Sequence, residues 1–133
     1  MRRMIRPPRE RGAAAVEFAL LLPLLLLIVC GIVDFGRAYN AQVTLTQAAR
    51  EGVRLAALSQ PNVVSRTQSA AYPLTGVGVA VTACPAGSTA DAVVQTSYTF
   101  SFVTPVGALA ALFGSGFGGS ISMSGHGVMR CQG

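Results

Sequence analysis

Glu17 is the one charged residue between Ala13 and Val33, and it heads the run Phe18 to Val33, which carries no charge at all. A carboxylate in an apolar segment that supplies no cation of its own must find its partner elsewhere, which makes Glu17 a candidate functional residue. Its cost is bounded. An acid at the centre of a membrane helix costs about 2.5–3.5 kcal/mol and less near the end, where Glu17 stands. Leu20, Leu21, Leu22 and Leu24 to Leu27 each return about 0.3–0.6 kcal/mol and together offset it. Insertion tolerates Glu17 but does not ask for it. The bland alternative is an interfacial acid that keeps its carboxylate in the headgroup layer.

The other reactive side chains are few. Cys30 lies within the apolar run and reads as a small apolar residue. That leaves Cys84 and Cys131 as a pair, and closing a loop of about 47 residues is worth about 4 kcal/mol in the chain-entropy model. Two distant cysteines and the single His126 are too few ligands for a closed zinc site, so neither a metal nor a cofactor is expected. With one histidine, and Asp91 the only acid beyond Glu51, no nucleophile, base and orienting group can be assembled. Gly114 to Gly119 has no following lysine or helix start and is not a phosphate loop. The expectation is a protein that is not an enzyme.

The elements that hold these residues follow from charge and periodicity. The chain has 133 residues, 51% of them hydrophobic and 11% charged, which suits one membrane helix and one small domain. Its net charge of +5 arises because Arg2, Arg3, Arg6, Arg9 and Arg11 crowd the leader against Glu10 alone. The remainder is near neutral, so no nucleic-acid partner is implied. A basic leader instead holds the N-terminus in the cytoplasm. Ala13 to Val33 as a helix spans about 30 Å, the thickness of a bilayer's hydrocarbon core. The run is too long for a signal-peptide core, and no small-x-small site follows closely. Pro23 is tolerated in such a helix.

Past the membrane the helical pattern continues. Leu45, Ala48, Ala49, Gly52, Val53 and Ala56 form a small-sided apolar stripe, with Gln47, Arg50, Glu51 and Arg54 on the other side. One helix from Ala14 to Leu58 would be about 65 Å long. Pro61 to Pro73 reads as a polar linker. The period then becomes two: Val77, Val79 and Val81; then Val94, Thr96, Tyr98, Phe100 and Phe102; then Ile121 and Met123, resuming to Arg130. Ala108 to Phe113 suggests a buried turn of helix, Gly114 to Gly119 a loop, and His126 a surface or strand residue. The expected fold is α+β, a long helix packed on a small antiparallel sheet. Its parts are a leader (1–12), a transmembrane and continuing amphipathic helix (13–58) and a β-rich domain (59–133).

Gly12 before a short apolar stretch, then Glu17, Phe18 and a leucine-rich helix, resembles the processing site of type IV pilin-like precursors. With Asp34-Phe35-Gly36-Arg37 and Ala48-Ala49-Arg50-Glu51-Gly52, the stretch Arg11 to Leu58 is similar to the TadE-like family, minor pseudopilins of the tight-adherence (Tad, Flp) pilus system. Ala13 stands where the better-known pilins usually have Phe, which favours the Tad branch. The resemblance implies cleavage by a prepilin-type peptidase between Gly12 and Ala13. It also implies subunit assembly through Glu17 and Phe18, with Glu17 meeting the freed amine of a neighbour's Ala13. The implied partners are membrane lipid, other pilin-like subunits and the Tad secretion machinery. The implied location is the bacterial inner membrane, crossed once, with the C-terminal domain in the periplasm. The competing reading is a signal-anchored periplasmic binding module that is never processed.

Overall fold

A computed structural model describes residues 9–85, 89–105 and 119–131. Its backbone is a single helix, α1, spanning Arg9–Ala57, 49 residues and about 74 Å at 1.5 Å per residue. It begins inside the stretch read as leader. Arg9, Glu10 and Arg11 are straight-chain helix formers, and a lone Gly12 lowers helix stability without ending it. At the other end Ser59 takes a left-handed conformation (φ 50°). The Gln60 N–H then bonds the Leu55 carbonyl at 3.0 Å and the Ser59 N–H that of Ala56 at 3.1 Å, which satisfies the last turn.

The expected polar linker is instead partly helical. α2, Val63–Ala70, follows α1 directly, and its Thr67 is fully buried. The Thr67 hydroxyl donates to the Val63 carbonyl at 2.8 Å, so a polar residue enters the interface with its hydrogen bond made. Gly52 of α1 is what lets α2 approach, because a Cβ there would collide with the Thr67 hydroxyl.

Three strands complete the fold: β1, Gly78–Thr82; β2, Asp91–Ser101; β3, Ser120–Arg130. They form one antiparallel sheet with β2 in the middle, Val79 facing Thr96 and Tyr98 facing Met123. Alternation sorts the faces. Ala92, Val94, Thr96 and Phe100 turn inward and are buried, while Gln95, Ser97, Thr99 and His126 are exposed on the outer face. The expected α+β fold is therefore present, with the α1 stripe covering the sheet. Leu45, Ala48 and Ala49 have no exposed surface, and Val53 and Ala56 retain 4% and 1%.

The contact is close because β3 offers glycine where it crosses the helix. A Cβ on Gly125 would lie 2.6 Å from the Leu45 carbonyl oxygen, and one on Gly127 2.5 Å from that of Ala49. The buried Thr96 hydroxyl also donates to the Leu45 carbonyl, at 3.1 Å. Three apolar clusters stack along α1 from this contact. Ala38, Ala41 and Phe100 lie nearest the apolar run, Leu45, Ala48, Ala71 and Val77 come next, and Val53, Ala56, Ala57, Ala92 and Val94 are farthest. The expected helical turn at Ala108 to Phe113 lies outside the described residues, as does the glycine-rich loop up to Phe117-Gly118.

Candidate functional site

The first half of α1 is largely exposed, with only Cys30 and Gly31 partly covered. Gly12, Ala13 and Glu17 are exposed, as is Phe18 at 59%. The large side chains that follow are bare as well, Leu20 at 75% and Ile32 at 67% among them. The helix is long and apolar enough to cross a membrane, and none of its most apolar window is buried within the protein. Gly12 and Ala13 sit within helix, Glu17 is one turn beyond Ala13, and Phe18 is beside it on the next azimuth. Among the described residues no hydrogen bond or ion pair reaches Glu17. Among the described residues nothing covers this apolar surface.

The covered half begins abruptly at Asp34, which retains 1% exposure although it directly follows the apolar run. Its carboxylate accepts from the backbone N–H of Val103 at 3.3 Å and of Thr104 at 3.2 Å, and from the Thr104 hydroxyl in a short bond. Arg37, one turn on, donates at 3.2 Å and lays its guanidinium over the Phe100 ring, 5.2 Å from the centroid. The Thr104 hydroxyl does most to hold the Asp34 carboxyl below its ordinary value. Burial pushes it up, and the backbone N–H groups of Thr104 and Val103 and the Arg37 guanidinium add to the lowering. A charged acid thus fastens the end of β2 to the helix where the apolar run stops.

The opposite end of the sheet is closed covalently. Cys84, just after β1, and Cys131, just after β3, form a disulfide with Cα atoms 5.8 Å apart, and Cys30 is free. Each flanks the start of β2, and the Cys131 N–H bonds the Ala90 carbonyl at 3.0 Å. The bond therefore ties both edge strands to one end. Among the described residues no three of His, Cys, Asp and Glu come together as a metal site. The clefts along the helix are open and shallow; the one beside Arg37, Asn40, Tyr98 and Phe100 measures about 250 Å³.

Glu17, Asp34, Arg37 and Gly52 all fall in one stretch, and a family model matches it. The model of the TadE-like protein family matches residues 12–54. The matched stretch begins at Gly12, takes in the bare half, Asp34, Arg37 and most of the small-sided stripe, and ends short of Leu58. Residues 55–133 lie outside it. No curated protein and no solved structure matches the chain. Sequence reasoning used Asp34 only as part of the Asp34-Phe35-Gly36-Arg37 resemblance and gave it no structural role. Apart from Arg37, its partners stand 69 and 70 positions away and leave no local signal.

Proposed function

We propose that this protein is a membrane-anchored, pilin-like structural subunit, a minor pseudopilin that takes part in Tad/Flp-type pilus assembly and surface adhesion and is not an enzyme. The observation that carries the reading is the TadE-like segment itself, half of it a bare apolar helix whose one acid, Glu17, has no partner among the described residues. A helix of this kind needs lipid or other helices around it. In the proposed cycle the basic leader stays in the cytoplasm and the sheet domain crosses the inner membrane. A prepilin-type peptidase then cuts between Gly12 and Ala13. The new Ala13 amine and the Glu17 of a neighbouring subunit pair within the bundle, while Phe18 packs beside them.

The test is Glu17→Gln in a strain with the cognate peptidase. The variant should insert, fold and form its disulfide as the wild type does, since the charged form is the costly one in lipid. It should nevertheless fail to cross-link to pilin-like partners or to support piliation, because an uncompensated amine in a dry interface costs about 3–5 kcal/mol. Intact mass should show a mature chain beginning at Ala13. Normal piliation by Glu17→Gln, or a stable product that begins at Met1, would defeat the reading.

A further inference from the structure

Asp34 ties the segment just after β2 to the helix at the level where the apolar run ends. It follows Val33 directly, so its Cα lies about 1.5 Å beyond the last residue of the apolar run. Because the backbone N–H groups of Val103 and Thr104 bond its carboxylate at 3.3 and 3.2 Å, these residues share that level. A headgroup layer is about 5–7 Å deep on each side of the hydrocarbon core. With Val33 at the edge of the hydrocarbon core, the segment just after β2 falls within that layer. Val103 is 74% exposed there despite being apolar.

The helix presents two more exposed aromatic side chains at or just above this level. Phe35 is 74% and Tyr39 75% exposed, with Cα atoms about 3 Å and 9 Å beyond Val33. Side chains on a helix lean toward its N-terminus, here toward the membrane, so the Tyr39 ring covers the turn below its own Cα. Aromatic rings with a polar tip belong in this layer. At the opposite end of the sheet Val128 is 64% exposed on β3, two residues before Arg130, which pairs with Asp91.

We propose that the domain is not held off the membrane on a stalk but is seated on it, with Phe35, Tyr39 and Val103 embedded in the lipid headgroup layer and Asp34 fixing the seat. The occupant of this surface is lipid, because the surface continues without a break from the segment that crosses the bilayer. The inference rests on the membrane-anchored reading above.

The chain contains no tryptophan, so one introduced tryptophan reports its surroundings without background. Full-length disulfide-bonded Val103→Trp, Val128→Trp and Leu25→Trp would each be reconstituted in phosphatidylethanolamine/phosphatidylglycerol vesicles. Lipids brominated near the headgroup should quench Val103→Trp, with emission at shorter wavelength and less quenching by aqueous acrylamide than in Val128→Trp. Lipids brominated deep in the chains should quench Leu25→Trp. Equal acrylamide quenching and emission in Val103→Trp and Val128→Trp, with Leu25→Trp still quenched by lipid, would overturn the seat and leave the anchor standing. Leu25→Trp unquenched by any brominated lipid would overturn the anchor, and the seat with it.

Discussion

Leu24 and Leu45 belong to the same helix and have opposite surroundings: Leu24 is 56% exposed, and Leu45 has no exposed surface. The halves they represent differ in side-chain size as much as in cover. Before Asp34 the helix carries leucine, isoleucine, valine and phenylalanine on all sides; after it, the inward residues are mostly alanine and glycine. The reason is the identity of the neighbour. Where the protein supplies its own cover, small residues let the Leu45 and Ala49 carbonyls meet β3 at glycine. Where, on the proposed function, lipid or other subunits would supply it, bulk and hydrophobicity are what partition the helix out of water. Residue size along α1 thus reports which surroundings each half was built for.

The largest test of that contrast removes the staple from the covered half. Cys84→Ser together with Cys131→Ser should destabilise the sheet domain by about 4 kcal/mol, measured by urea unfolding of the full chain in micelles. Helical signal from the bare half should persist beyond the transition. Simultaneous loss of both halves would show that they fold as one unit and would blunt the comparison.

A matched pair of leucines tests it next. Leu45→Ala empties a fully buried position and should cost about 2–5 kcal/mol of domain stability. Leu24→Ala, in the bare half, should stay within about 0.5 kcal/mol in the same unfolding measurement. A large effect of Leu24→Ala would mean that the bare half packs against the domain after all.

The smallest effect concerns the boundary itself. A carboxyl held below its ordinary value in the folded state lends stability that is complete above the unfolded pKa, about 3.9 for aspartate. That stability is lost as pH falls through the lowered folded value. Wild type should therefore be more stable than Asp34→Asn at neutral pH, and the gap should narrow as the medium is acidified below about pH 4. A gap that is constant with pH would assign the effect to shape rather than charge.

How much of this was legible beforehand depended on whether the signal was local. The α1 stripe from Leu45 to Ala56 and the alternation from Val94 to Phe100 could be read, because in each the inward residues recur at the period of the element that carries them. Cys84 and Cys131 could be paired once Cys30 was set aside within the apolar run. α2 could not be read: its inward residue is Thr67, a polar side chain that satisfies itself on its own backbone and so leaves no apolar stripe. The helix extends back to Arg9, beyond the Ala14 at which it was expected to start. Asp34 was missed because a fastening between a helix and a chain segment 69 positions on has no periodicity to betray it.

The chain is made from its N-terminus, so α1 exists before any of the residues that will cover it. Leu45 through Ala56 must wait for β1, β2 and finally β3, which ends at Arg130. During that interval the waiting strip is a liability, open to the wrong neighbour. Alanine and glycine make it a poor adhesive: each offers so little apolar surface that a chance partner gains almost nothing, and only a strand bearing glycine at positions 125 and 127 can come near enough to collect the whole contact. The same smallness that makes the finished joint tight keeps the unfinished one discreet.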